Sequence, residues 1–148
     1  MDADVHNLLQ DFAEALIQQN WDNAHSLLAD FTQHHVTSDA LALFIDEAIQ
    51  EVNEEWMLPA DAWPGAVELD ENPDCPLASL RADPGEKTLP AKMPEELNEE
   101  NYHGWYCISL IAREDQDLVI PGWWDLWLAV VSNDGELSVG YLELTERD

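Results

Sequence analysis

Asp125 is the residue whose setting most invites chemistry. It interrupts an aromatic run, Trp123-Trp124-Asp125-Leu126-Trp127. A carboxylate held among aromatics loses hydration, so its pKa rises and it can act as a general base. In an extended chain side chains alternate, which puts Trp123, Asp125 and Trp127 on one face. Asp125 is therefore the candidate catalytic residue. Trp105, Trp123, Trp127 and Tyr141 form the candidate ligand or partner face, because large aromatics suit both apolar pockets and interfaces. The competing reading is a structural carboxylate, bonded to a backbone N–H or set at a sheet edge, which is the commoner fate of such groups. Core packing is the expectation for Trp124, while pocket and core weigh equally for Trp123 and Trp127.

Other chemistry is sparse. His6, His25, His34, His35 and His103 show no His-x-x-x-His or His-Glu-x-x-His spacing, so no metal site is expected. Asp70-Glu71-Asn72 with Asp74 lacks the central glycine and terminal glutamate of a calcium loop. Cys107 has no basic neighbour in sequence to lower its pKa. Phosphate-binding and dinucleotide glycine motifs are absent, and no cofactor is expected.

The elements that must position these residues follow from periodicity. Apolar residues at three- and four-residue steps predict a helix over 4–19, through Val5, Leu8, Leu9, Phe12, Leu16 and Ile17. Asp2 or Asp4 can cap it, and Asn20 can supply a left-handed stop. A second helix is expected over about 22–31. A third follows Thr37, Ser38 or Asp39, with Leu41, Phe44, Ile45, Ala48, Ile49, Val52 and Trp56 on its apolar stripe. Acids at that helix's C-terminal end oppose its dipole. Residues 57–101 hold seven of the eight prolines. That segment reads as irregular, with one short strand at 66–69 and one helical turn at 94–97, and part of it should cover the sheet.

Residues 102–144 read as a three-stranded meander. The first strand runs 102–113, Glu114 to Asp117 breaks it, and Ser132-Asn133-Asp134-Gly135 turns the second strand into the third. In the third strand Leu137 and Val139 are odd, but Leu142 and Leu144 are even. Gly140 at that slip signals a β-bulge, and Pro121-Gly122 can bend the second strand. Both faces of the second strand are apolar, so both should be buried, one by helices and the other by a loop, a ligand or another subunit. The fold expected is α+β, with three N-terminal helices packed on a curved antiparallel sheet formed mainly by the C-terminal meander. It reads as one domain of 148 residues.

Charge bounds the partners. Asp and Glu number 32 against 5 Lys and Arg, for a formal net charge of −27. Such a surface repels nucleic acid phosphate and anionic membrane. Solubility, a saline habitat, weak divalent-cation binding and a basic protein partner remain as readings of the acidity. The start of the chain shows no basic region before an apolar stretch, and no run approaches a membrane span. With two cysteines and no Cys-x-x-Cys pair, a cytoplasmic location is expected.

Three helices, the second opening Trp21-x-x-Ala24-x-x-Leu27-Leu28, followed by a curved antiparallel meander, resemble the nuclear-transport-factor-two-like superfamily. This group of cystatin-like α+β cones includes SnoaL-like and ketosteroid-isomerase-like proteins. The resemblance covers residues 4–56 and 102–144. It implies a cone-shaped pocket and frequent dimerisation through the sheet, but no one activity, since members include enzymes, ligand carriers, adaptors and toxin-neutralising immunity proteins. The leading expectation is a non-enzymatic binding protein whose acidic rim holds a protein partner, in an immunity-like role. The alternatives are a small isomerase-like enzyme with Asp125 as base in an apolar cone, assisted by Tyr106 or Tyr141, and a homodimer without a pocket. A small apolar ligand fits the first two.

Overall fold

The computed structural model describes residues 1–116, 120 and 122–146. Its first half is organised by apolar stripes. Helix α1 (Ala3–Ile17) buries Val5, Leu8, Leu9, Phe12 and Leu16. Asp2 caps it by accepting from the Val5 amide at 3.0 Å. The left-handed residue at its end is Gln19 (φ 56°), not Asn20. Asn20 instead caps α2 (Trp21–Ser26), accepting from the Asn23 amide. The single helix expected over 22–31 is two pieces, α2 and α3 (Asp30–Gln33). The break has a tertiary cause. Leu28 bridges Val139 in parallel, with the Ala29 amide donating to the Val139 carbonyl at 2.8 Å and the Val139 amide to the Leu27 carbonyl at 3.0 Å. Pairing with the sheet overrides the helical pattern. Helix α4 (Ser38–Glu55) starts at Thr37, whose hydroxyl accepts from the Ala40 amide at 3.0 Å.

The proline-rich middle carries more regular structure than expected. It contains β1 (Ala66–Asn72), α5 (Leu77–Ala82) and β2 (Lys87–Leu89). Residues 94–97 make a turn closed by the Leu97 amide on the Pro94 carbonyl, not a helix. The meander follows as β3 (Tyr102–Ile111), β4 (Trp124–Asn133) and β5 (Glu136–Glu146). All pairings are antiparallel, in the order β1-β3-β4-β5-β2, and the sheet is open and curved. The fold is thus α+β, with helices in the first half and the sheet built mainly from the C-terminal part.

Two details of the meander match their sequence signals. Asp134 (φ 52°) and Gly135 (φ 82°) turn β4 into β5 with the positive φ that this hairpin needs. Gly140 is the extra residue of a bulge, because Ala129 faces Tyr141 while Val130 faces Val139. A Cβ at Gly140 would meet Val131 Cγ1 at 2.9 Å, and the Thr32 hydroxyl donates to the Gly140 carbonyl at 2.9 Å. Asp117, at the end of the polar break, and Pro121 lie outside the described residues.

The sheet's two faces differ. On one, Ile108, Leu110, Leu126, Leu128, Val130 and Leu142 pack against Leu9, Phe12, Leu16, Ile45 and Ile49 of α1 and α4. Each such side chain contributes roughly 1.5–3 kcal/mol on full burial. On the other, the 73–101 strap lays Leu77, Leu80 and Leu97 over Trp105, Ala129, Val131 and Tyr141. Among the described residues no helix is long and apolar enough to cross a membrane.

Candidate functional site

On the strap side of the sheet, register aligns Glu68, Ser109, Asp125 and Thr145 in one row, and Asp70, Cys107, Trp127 and Glu143 in the next. Asp125 is half-buried and accepts from the Ser109 hydroxyl at 2.6 Å. The Trp127 ring stacks on Trp105 at 5.7 Å between centroids and 12° between planes. Asp125 and Trp127 therefore share a face, as their spacing predicts. The apolar-cone setting for Asp125 needs correction. The space between sheet and helices lies on the opposite face and is filled by the Phe12, Leu16, Ile45 and Ile49 core. Neither tyrosine stands beside Asp125. Tyr106 belongs to the helix-side core. Tyr141 pairs with Ala129, four residues along β4 from Asp125 and roughly 13 Å away at the rise of a strand.

Trp123 also moves. It lies in the helix-side core, 2% exposed, and its indole N–H donates to Asn53 Oδ1 at 2.9 Å. The physical reason is that β4 begins at Trp124, so the two-residue alternation does not extend back to Trp123, which follows Gly122 with its positive φ of 151°. Trp124 faces the helices as expected, donating to the Ala48 carbonyl. Trp105 and Tyr141 are on the Asp125 side but buried beneath the strap, at 6% and 1% exposure. Of the four aromatic residues singled out, Trp127 alone keeps a partly open surface. The Tyr102 hydroxyl ties the strap down, donating to the Cys75 carbonyl at 2.7 Å. Burial pushes its pKa up, so it remains a donor.

Glu143 stands between strap and sheet. It pairs across strands with Trp127 on one side and Thr88 on the other. A Cβ on Gly85 would collide with its carboxylate, so the glycine admits close approach of the strap. Burial, and then the Asp83 carboxylate, raise the Glu143 pKa.

The end of α4 was not legible as an exposed site. Asn53 there is buried; its amide N–H donates to the Ala62 carbonyl at 3.0 Å while its oxygen accepts from Trp123. The Leu58 amide reaches the Asn53 carbonyl at 2.8 Å and the Met57 amide the Glu54 carbonyl at 3.3 Å. These are the paired bonds of a Schellman end, with Met57 (φ 55°) in the left-handed place that glycine favours. Turning the chain this way leaves Trp56 at 50% and Met57 at 92% exposure. Trp56, expected on the buried stripe, is instead the residue at which the helix stops. Exposed Glu54 and Glu55 directly precede this apolar pair, and exposed Glu51, one turn earlier, pairs with Lys87 at 3.2 Å. The sequence signal was the run of acids against the helix dipole.

Among the described residues no three His, Cys, Asp or Glu side chains are placed to hold a metal ion. The class defined is an α+β protein with helices on one face of an open antiparallel sheet and a strap on the other. No protein-family model, curated protein or solved structure matches the chain.

Proposed function

We propose that this chain is a non-enzymatic interaction protein that holds a basic protein partner, with the contact centred on the C-terminal end of α4. The observation that carries the reading is the exposure of Trp56 and Met57 directly after exposed Glu54 and Glu55. Scattered surface hydrophobes need no explanation, but two adjacent large ones at a helix end form a patch. The carboxylates sit at the negative pole of α4, each at a cost of a few tenths of a kcal/mol. A cationic partner would relieve that cost while covering the apolar pair. A second copy would bring like charges together, so a basic surface is the better complement than self-association. Neutralising a basic toxin is one concrete form of the role.

The isomerase-like alternative has less support, since Asp125 has no tyrosine beside it. The nuclear-transport-factor-two-like resemblance stays as a proposal about ancestry, supported by helices preceding an open curved sheet. Cys75 and Cys107 are not joined in a disulfide, which suits the cytoplasm.

A photo-crosslinking amino acid at position 57, with a second at exposed Asp22 as control, tests the reading in cells. The expected product is a basic protein captured from position 57 only. Its purified complex should weaken steeply with salt and with Trp56→Ala. Equal capture at both positions, or an affinity indifferent to Trp56→Ala and to salt, would overturn it.

A further inference from the structure

The cations of this chain are few enough to account for singly. Of the five Lys and Arg, Arg147 lies outside the described residues. Lys87 pairs with Glu51 at 3.2 Å and Arg113 with Asp115 at 2.7 Å. Arg81 and Lys92 have no carboxylate partner among the described residues. Of the four described cations, two thus pair with a carboxylate and two do not. The two unpaired ones line the same cleft, of about 390 Å³, between α5 and residues 91–95 of the strap.

The cleft's other walls are mostly apolar. Leu80, Pro84, Met93 and Pro94 contribute, and Tyr141 lies at the sheet end, buried. Arg81 is fixed in place by donating through Nη2 to the Leu97 carbonyl. A guanidinium carries five N–H groups, so donors remain for a ligand. The volume falls within the range of small-molecule sites, roughly 300–1,000 Å³.

We infer that this cleft binds a small monocarboxylate with an apolar body, its carboxylate held by Arg81 and Lys92. Apolar walls beside two cations match an amphipathic anion. Glu95 on the rim and the net charge of −27 select against multiply charged anions such as phosphate, for which the repulsion grows with each added charge. The inference is independent of the partner proposed for α4, because it rests on a different set of residues.

The probes are octanoate, phenylacetate and indole-3-acetate, with octanamide and inorganic phosphate as controls. Calorimetry gives the affinity, and amide NMR shifts at Leu80, Arg81 and Met93 give the place. At least one monocarboxylate should saturate at one equivalent and shift those amides. Octanamide and phosphate should bind at least roughly tenfold more weakly than that monocarboxylate, as loss of a charged hydrogen bond implies. Lys92 is exposed, so Lys92→Gln should leave the fold intact and weaken binding by a similar factor. The inference fails if no monocarboxylate saturates, if octanamide or phosphate binds as well, or if Lys92→Gln changes nothing.

Discussion

The end of α4 and the cleft within the strap both set apolar surface beside charge, with opposite signs. At α4 the charge is negative and so is the whole chain, so acidity there departs little from its background. What marks that place is geometry, namely Met57 in a left-handed conformation with 92% of its surface in water. Gln19 ends α1 with the same backbone, but there the side chain given to water is polar. At the cleft the geometry is ordinary and the charge is the exception. The two regions teach that in a chain this acidic, a carboxylate cluster says little until backbone and exposure single it out. Two cations without a carboxylate partner among the described residues are informative because they line one cleft.

The largest expected effect tests what supports the α4 end. Asn53 joins Trp123 and Ala62 across the core. Asn53→Leu leaves a buried N–H and a buried carbonyl without partners, and should cost about 3 kcal/mol in chemical denaturation. It should also loosen the turn that presents Trp56, while leaving the cleft's affinity for octanoate unchanged. Next is Trp56→Ala. The side chain is half in water, so stability should stay within about 0.5 kcal/mol, while partner affinity falls by about 2 kcal/mol if Trp56 anchors the contact. Calorimetry against the captured partner reads this directly. A fall in stability without a fall in affinity would make Trp56 a packing residue and dissolve the contrast with the cleft.

Met57→Gly separates stability from binding at one position. Glycine tolerates the left-handed conformation that costs other residues roughly 1–2 kcal/mol. Part of that gain is lost to glycine's freedom in the unfolded chain. The net should be about 1 kcal/mol more stable, or a rise of roughly 2–4 °C in Tm. Partner affinity should drop at the same time, since the apolar pair loses half of itself. Gln19→Gly is the comparison, and should stabilise without touching either site.

How far these places were legible in the sequence follows from the range of the forces that made them. The meander was legible because alternation, the Asn-Asp-Gly turn and the phase slip at Gly140 are local signals. Asp125 and Trp127 were placed together by the same alternation. It placed Trp123 with them too, wrongly, because alternation holds only within a strand and the strand starts one residue later. The break between α2 and α3 depends on Val139, a partner far along the chain. The helix-facing side of β4 was legible at Trp124, but what covers the other face was not, since both faces are apolar. The exposure of Trp56 was hidden because it continues the periodicity of α4 to the very residue where the helix ends. The pairing of Arg81 with Lys92 required the strap's path, which a proline-rich stretch does not reveal.

Smaller effects sharpen the contrast through charge. Glu54→Gln and Glu55→Gln should each stabilise by about 0.5 kcal/mol by relieving the helix end. They should flatten the salt dependence of partner binding and leave octanoate binding unchanged, whereas Lys92→Gln should do the reverse. Equal responses at both sites would mean that only the overall field matters.

The smallest expected effect is one of pH and belongs to the strap. Glu143 has its pKa raised in the folded chain, by burial first and by Asp83 second. The folded state therefore binds this proton more tightly than the unfolded one. The stability linked to it is fully present below the ordinary glutamate pKa of 4.5 and is lost as pH rises through the folded value. Glu143→Gln imitates the protonated form. Its Tm should exceed that of the parent at pH 7 and converge on it by about pH 4, the ordinary glutamate range. The side chain is only partly buried, so solvent screening keeps the gain small. Glu55 is exposed, so Glu55→Gln has no such burial behind it. If Glu143→Gln showed no gain at pH 7, the strap would not be confining that carboxylate at Gly85.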